Sequence, residues 1–178
     1  KLTPEALEAT ITDKTKVMLI NFPSNPTGGV MTYEDYQKIV PIIKKHEILV
    51  ISDEIYAELS YDQPFASLAN FPEVKDQIIV INGFSKAFAM TGWRLGYVLA
   101  HKTLTQAMNK IHQYVIMSAP TASQYAAVEA MRHGQQDVQV MRESYLARRN
   151  FIVNGFNKLG LDTFTPQGAF YVFPCIKS

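Results

Sequence analysis

The sequence predicts an α/β protein with a mainly parallel sheet and helices on both faces of that sheet. Three short β-branched runs, Val17–Ile20, Ile48–Ser52 and Ile78–Ile81, alternate with longer amphipathic segments. Strands this apolar are typical of parallel sheets, because helices cover such strands from both sides. The alternation of strand and helix favours crossover connections, which leave successive strands parallel to one another.

The first long amphipathic segment, Tyr33–His46, is predicted to be a helix. Thr32 stands directly before it and Asp35 follows three residues later, which is the spacing of a capping box. Pro41 lies inside the segment. We expect this proline to kink or interrupt the helix, because it lacks the N–H that an internal helical position uses.

The later elements are assigned from the same periodicities. We predict a fourth strand and three helices, at Leu95–Ala100, Thr103–Tyr114, Ala122–His133 and Gln135–Lys158. In the segment Phe164–Pro174, a turn is followed by the apolar run Phe170–Phe173, which we expect to be a strand that starts a new unit. The predicted organisation is a large domain over residues 1–134, a long connecting helix over 135–160 and the start of a small α+β domain over 161–178.

Composition and charge exclude several classes of protein. Of the 178 residues, 47% are hydrophobic and 19% are charged, which is too apolar for an intrinsically disordered chain. The net charge is +1 and no long run of like charges occurs, so we expect neither a nucleic-acid partner nor a membrane-surface role. The four histidines follow no metal-ligand spacing, so no metal site is predicted. Cys175 is the single cysteine and cannot form an internal disulfide, which suits a reducing compartment such as the cytoplasm.

Polar and reactive side chains collect in the loops that follow the three strands. Parallel strands end at one edge of their sheet, and ligands of α/β proteins bind there. We therefore expect six residues to converge at this edge: Asn25, Asp53, Tyr56, Ser85, Lys86 and Arg94. Each also has an ordinary structural explanation when it is considered alone. Asp53 could cap a helix, Asn25 could belong to a turn, and Lys86 could be a solvated surface charge.

Together the six side chains suit a ligand with three chemical demands. The set offers a carboxylate for a protonated ring nitrogen, an amine for a carbonyl group, and cationic and hydroxyl donors for a phosphate. Pyridoxal phosphate carries an aldehyde, a pyridine nitrogen, a phenolic oxygen and a phosphate, and lysine amines condense with aldehydes.

Three motifs resemble those of the class I/II pyridoxal-phosphate-dependent aminotransferases of PLP fold type I, the aspartate and aromatic type. They are Asn25-Pro26-Thr27-Gly28, Asp53-Glu54-Ile55-Tyr56, and Ser85-Lys86 followed by Thr91-Gly92-Trp93-Arg94-Leu95-Gly96-Tyr97. They occur in the order and at the spacing of that family, over most of the chain. The resemblance implies the large-domain fold of these enzymes and a cytoplasmic homodimer. It also implies an enzyme that moves an amino group from an amino acid to a 2-oxo acid.

The resemblance also implies a role for each residue of the set. Lys86 matches the lysine that forms the Schiff base with pyridoxal phosphate and later carries a proton during the reaction. Asp53 matches the carboxylate that keeps the pyridine nitrogen protonated. Tyr56 and Asn25 match donors to the phenolic oxygen, and the family's asparagine also reaches the substrate carboxylate. Arg94 and Ser85 match phosphate ligands, although many relatives have a serine where this chain has Gly83.

Other parts of the family's machinery are expected outside this sequence. The family's phosphate loop and ring-stacking aromatic lie upstream, and its substrate-carboxylate arginine lies downstream, so we expect the isolated chain to be a fragment without activity. Gly168-Ala169-Phe170-Tyr171 resembles the start of the family's small domain. Two other functions remain open: a C–S β-lyase of the cystathionine β-lyase kind, and a cofactor-sensing aminotransferase-like domain of a transcription regulator.

Overall fold

Four strands form one mixed sheet in the computed structural model, which describes residues 1–177. The strands lie in the order β1-β2-β3-β4 and span Val17–Asn21, Leu49–Asp53, Ile78–Gly83 and Gly96–Leu99. The first three are parallel neighbours, whereas β4 returns antiparallel to β3. The predicted α/β class and mainly parallel sheet are confirmed, and the four strands predicted before residue 101 are present within one or two residues of their expected bounds.

Six α-helices accompany the sheet over the described residues. They span Pro4–Thr10 (α1), Tyr33–His46 (α2), Phe84–Ala87 (α3), Lys102–Val115 (α4), Thr121–His133 (α5) and Gln135–Lys158 (α6). Short 3₁₀ helices at Ala57–Leu59, Leu68–Asn70, Pro72–Gln77 and Thr91–Trp93 occupy the connections. None of the helices within residues 1–177 combines the length and apolar character that crossing a bilayer requires.

The main hydrophobic core lies between β1–β3 and the elements that cover one face of the sheet. Its buried members come from all three parallel strands, from α1 and α2, and from the Leu68–Val74 region, and include Leu7, Ile20, Tyr36, Ile39, Ile43, Val50, Leu68, Val74 and Ile78. On the opposite face Leu19 is 69% exposed and Val98, which pairs with Ile81, is 41% exposed. A groove there, lined by Ile81, Tyr97 and Met108 among others, separates β3 and β4 from α4.

The helix α2 has the predicted bounds but not the predicted interruption. Thr32 accepts a hydrogen bond from the backbone N–H of Asp35, and the Asp35 carboxylate accepts one from the N–H of Thr32, which completes the capping box. Pro41 lies within one continuous helix, so the expected interruption is wrong, and the kink stays a prediction. The missing N–H costs one hydrogen bond, and the capped first turn and the fully buried Ile39 and Ile43 hold the helix together around it.

The predicted strand at Phe170–Phe173 is also wrong. The region makes only isolated bridges, between Ser60 and Gly168 and between Thr163 and Pro174. Ala169 has a left-handed backbone (φ 57°), which turns the chain out of an extended course. The segment instead pairs its backbone with loops, as described below. The division into domains stays a prediction, and its last residue, Ser178, lies outside the described residues.

Candidate active site

The parallel ladder sets the ends of β1, β2 and β3 side by side. In the register of the sheet Asn21 faces Asp53, and Asp53 faces Ile81. The side chain of Asn21 donates to the carbonyl oxygen of Asp53 over 3.2 Å and accepts from the backbone N–H of Asn25 over 3.0 Å. These bonds tie the loop after β1 to the end of β2. Asn25 and Asp53 therefore lie at the same edge of the sheet, as the sequence predicts.

The Asn25–Gly28 turn is closed by its own backbone and fixed against a distant segment. The N–H of Gly28 donates to the carbonyl of Ser24, and the N–H of Ser24 donates to the carbonyl of Gly29, both over 2.8 Å. Gly28 has φ +70°, and a Cβ atom there would lie 2.2 Å from the Cβ of Pro166. Glycine is thus required twice at this position, by the backbone conformation and by the close approach of residues 166–168.

Tyr56 follows β2 and is almost fully buried. Its hydroxyl lies 2.6 Å from the hydroxyl of Tyr171, and its ring meets the rings of Phe170 and Tyr171 edge to face. Burial raises the pKa of the Tyr56 phenol well above its usual value. The phenol therefore keeps its proton at neutral pH and can donate it in a hydrogen bond.

Lys86 lies on α3, the single helical turn that directly follows β3. The side chain is half-buried, and its Nζ lies 5.8 Å from the centre of the Tyr56 ring and 5.5 Å from that of Phe170. At these distances a cation is attracted to the ring faces. Lys86 is thus brought to Tyr56, as predicted, on one side of the pair formed by the Tyr56 and Phe170 rings, whose centres are 5.3 Å apart.

Ser85 and Arg94 are connected through Thr91. The hydroxyl of Thr91 donates to the carbonyl oxygen of Ser85, and the Arg94 guanidinium donates to the carbonyl oxygen of Thr91, each over 2.8 Å. Arg94 adopts a left-handed backbone (φ 53°) and its side chain is exposed. Within residues 1–177 no hydrogen bond or ion pair joins Arg94 to Lys86, Tyr56 or Asp53. The structure therefore groups Ser85 with Arg94, beside the cluster around Lys86.

The glycine at position 83 has a packing reason. Gly83 is paired with Gly96 across the β3–β4 ladder. A Cβ atom on Gly83 would lie 2.9 Å from the Cα of Gly96 and 3.0 Å from the carbonyl oxygen of Leu95. A serine here would require β4 to move away from β3.

Glu54, next to Asp53, is a buried carboxylate that the sequence did not single out. Its Oε1 accepts hydrogen bonds from the hydroxyls of Ser52 (3.0 Å) and Ser67 (2.8 Å), and its backbone N–H donates to Ile81. Burial raises the pKa of the Glu54 carboxyl, while the two serine hydroxyls oppose this shift. The side chain thus links β2 to the loop at Ser67, behind the edge at which Asp53 lies.

Sequence reasoning missed Tyr171 as a residue of the site. Its hydroxyl accepts a hydrogen bond from the Asn25 side-chain nitrogen over 3.2 Å, besides its contact with Tyr56. The motif that contains it was interpreted only as the start of a small domain. No local signal could have paired it with Asn25 and Tyr56, because more than a hundred residues separate Tyr171 from each of them.

Comparison with known proteins shows the family of this chain. The profile of the family "Aminotransferase class I and II" matches residues 1–178. The chain belongs to the class I and II aminotransferases. The resemblance stated from the three motifs is thereby confirmed, and members of this family are transferases of nitrogenous groups.

Individual relatives of this aminotransferase chain match it over nearly its whole length. It is 52% identical over 178 residues to the Bacillus subtilis (strain 168) protein YugH and covers 46% of that protein. It is 41% identical over 180 residues to an aspartate aminotransferase of Pyrococcus abyssi, of which it also covers 46%. The crystal structure of an aromatic aminotransferase from Pyrococcus horikoshii OT3 superposes with a TM-score of 0.94 at 40% identity, over 98% of this chain and 48% of that one. The chain therefore spans about half the length of the relatives it matches.

Proposed function

We propose that this chain carries the catalytic lysine of an aminotransferase that moves an amino group from an amino acid to a 2-oxo acid, with pyridoxal phosphate as its cofactor. The observation that supports the proposal best is the setting of Lys86. Lys86 is half-buried, its amine lies beside the rings of Tyr56 and Phe170, and the residue follows β3, the strand next to the one that ends at Asp53. In the part of the chain that the structure describes, no hydrogen bond or ion pair engages this amine, so it is available for reaction.

The groups around Lys86 suit pyridoxal phosphate chemically. The Tyr56 hydroxyl and the Asn25 amide are donors for a phenolic oxygen. The Asp53 carboxylate accepts a hydrogen bond from the backbone N–H of Ile55 and retains capacity for a protonated ring nitrogen. The exposed guanidinium of Arg94 and the hydroxyl of Ser85 can bind a phosphate, for which arginine provides two parallel donors.

When bound, pyridoxal phosphate would supply an aldehyde for the Lys86 amine and an aromatic ring that accepts electrons. Asp53 would hold a proton on the ring nitrogen through its carboxylate. Tyr56 would donate its hydroxyl proton to the phenolic oxygen. Lys86 Nζ would act as the base that takes the proton from the substrate α-carbon and delivers it to a different carbon within the site. Asn25 would orient the substrate carboxylate with its side-chain amide.

The proposal includes a cytoplasmic homodimer as the working form. Large apolar side chains are exposed on and beside α4 and α5, with Tyr114 at 92%, Met117 at 79% and Tyr125 at 75% exposure. Such a surface suits burial against another subunit. Sedimentation of the full-length protein tests the dimer, and cell fractionation tests the compartment.

The lysine assignment is tested by trapping the cofactor. The chain is mixed with pyridoxal phosphate, reduced with borohydride and digested, and the modified peptide is identified by mass spectrometry. We expect one stable adduct on Lys86, loss of the visible absorption band in Lys86→Ala, and no loss in Lys102→Ala, where an exposed lysine at the start of α4 is removed. An adduct that persists at the same yield in Lys86→Ala would contradict the assignment.

The reaction is tested in the full-length protein with amino acids as donors. An aminotransferase forms a 2-oxo acid product only while an acceptor 2-oxo acid is present. Product formation that needs no acceptor would overturn the proposed reaction in favour of a lyase. Binding of the cofactor without any product would favour a sensing domain.

A further inference from the structure

The hydroxyl of Tyr171 contacts two side chains, Tyr56 and Asn25, that lie far from it in the sequence. It lies 2.6 Å from the Tyr56 hydroxyl and 3.2 Å from the side-chain nitrogen of Asn25. Both partners are the residues that we propose as donors to the phenolic oxygen of the cofactor. Tyr171 itself is half-buried, beside the almost fully buried Tyr56.

The chemistry of the three groups fixes the direction of one of these hydrogen bonds and leaves Tyr171 able to donate in the other. An amide NH₂ can only donate, so Asn25 donates to the oxygen of Tyr171. The single proton of Tyr171 is then free for the neighbouring oxygen, which belongs to Tyr56. With its oxygen accepting from Tyr171, Tyr56 can direct its own proton away from this pair.

Residues 166–171, which carry Tyr171, are held on both sides by the rest of the protein. The N–H groups of Gln167 and Gly168 donate to the carbonyl of Gly28 over 2.9 and 3.0 Å. On the other side the N–H of Ala169 donates to Leu59 over 2.9 Å, and the Tyr61 hydroxyl donates to the carbonyl of Ala169.

These hydrogen bonds hold the backbone at Ala169, which adopts a left-handed turn. From this turn the Phe170 ring extends to Tyr56 and Lys86, and the Tyr171 hydroxyl reaches Tyr56 and Asn25. The position of Tyr171 is therefore fixed by the fold.

We propose that Tyr171 is a positioning residue of the active site, whose hydroxyl donates to Tyr56 and thereby aims the Tyr56 proton at the phenolic oxygen of the cofactor. The inference rests on the proposed function, because it assigns Tyr171 a task only through Tyr56. It adds to the six predicted residues one that acts through Tyr56. A hydrogen bond donated to the phenolic oxygen weakens the hold of that oxygen on the neighbouring proton of the lysine linkage. The alignment of Tyr56 is therefore visible as the pH at which the bound cofactor changes colour.

The test is a pH titration of the visible absorption of the cofactor-loaded protein, comparing the wild type with Tyr171→Phe. This change removes the hydroxyl and keeps the ring. We expect the midpoint of the colour change to rise by about half to one pH unit, which is the scale of one well-aligned hydrogen bond. The matched control is Tyr145→Phe, the same change in a ring that stacks on Phe170 at 5.3 Å; it should leave the midpoint unchanged.

A double-mutant cycle decides whether Tyr171 acts through Tyr56. Tyr56→Phe should raise the midpoint more than Tyr171→Phe does, and the double variant should match Tyr56→Phe alone. Additive shifts, or an unchanged midpoint in Tyr171→Phe, would overturn the inference while the proposed function stands. Absence of a cofactor band in the wild type would instead refute the proposed function. Thermal unfolding of each variant separates loss of fold from loss of alignment.

Discussion

Two regions of the molecule differ in how well they bury their apolar residues. In the sheet region, residues 1–83, the helix α2 and the parallel strands enclose a continuous core, with Ile39 and Ile43 fully buried. In the helical region, residues 101–158, the helices α4 to α6 have few buried side chains, and Tyr114 and Phe151 are 92% and 80% exposed. The first region has a hydrophobic core of its own, whereas the second presents apolar surface suited to further packing.

The candidate site depends on both regions and on the segment that follows them. Asn25, Asp53 and Tyr56 belong to the sheet region, whose core fixes the ends of the strands. Arg142 of α6 binds the loop at Ser60 and Tyr61, and this loop in turn binds the segment that carries Tyr171. The well-packed region thus fixes the reactive groups, and the less packed region supports the groups that orient them.

The largest expected effect contrasts one substitution in the two regions. We expect Ile43→Ala, in the core side of α2, to lower the free energy of unfolding by about 3 kcal/mol, because it leaves a cavity. The same change at Ile111 of α4, 67% exposed, should alter it by less than about 0.5 kcal/mol. Urea unfolding of both variants measures the difference. Equal losses would mean that the helical region packs as tightly in solution as the sheet region.

The next effect concerns the attachment of α6 to the sheet region. The guanidinium of Arg142 donates to the carbonyl oxygens of Ser60 (2.6 Å) and Tyr61 (3.2 Å). Arg142→Ala removes both charged hydrogen bonds, and we expect a loss of about 2 kcal/mol in the free energy of unfolding.

Arg148 provides the matched control on the same helix. It is exposed, and its guanidinium stacks 5.7 Å from the centre of the Tyr145 ring. Arg148→Ala should cost less than about 1 kcal/mol. A larger loss for Arg148→Ala than for Arg142→Ala would contradict this account of how α6 is attached.

A smaller effect on stability is expected from the N-terminal caps of two helices, α2 and α5. Thr32 caps α2 through the reciprocal bonds with Asp35, whereas the N-cap of α5, Pro120, makes no side-chain hydrogen bond. We expect Thr32→Ala to cost about 1 kcal/mol and Thr121→Ala, at the first residue of α5, to have no measurable effect. Thermal unfolding measures both. A cost at Thr121 equal to that at Thr32 would show that the capping box adds nothing specific.

The smallest effect is a pH dependence from the buried Glu54. Its folded-state pKa lies above the unfolded value because of burial, so the protonated carboxyl favours the folded state. This contribution is complete below the unfolded-state pKa of about 4.3 and is lost as the pH rises through the folded-state pKa. Glu54→Gln, which cannot ionise, should therefore gain stability relative to the wild type as the pH rises over that window.

Urea unfolding at a series of pH values measures this difference. The Ser67 hydroxyl donates to Glu54 and thereby lowers the pKa of the Glu54 carboxyl. Its removal in Ser67→Ala should raise that pKa and move the window to higher pH. A difference between wild type and Glu54→Gln that does not vary with pH would contradict the burial of this charge.

Local sequence patterns were sufficient to predict most of the helices and strands. The capping box predicted the start of α2 at Tyr33, and the apolar runs predicted all four strands of the sheet, because short β-branched runs bounded by turn or charged residues form a local pattern. Two local inferences failed. Pro41 stays helical because neighbouring contacts hold the helix around it, and Phe170–Phe173 is not a strand because no neighbouring strand pairs with it.

The sequence by itself determined the fold class, the family and the six candidate site residues, since these follow from residue types and spacings within single segments. Only the tertiary structure decided which of them meet. It brought Lys86 to Tyr56 and Phe170, grouped Ser85 with Arg94 through Thr91, and added Tyr171 to Tyr56 and Asn25. Such contacts join residues far apart in the chain, and they depend on turns such as that at Ala169, which no local pattern specifies.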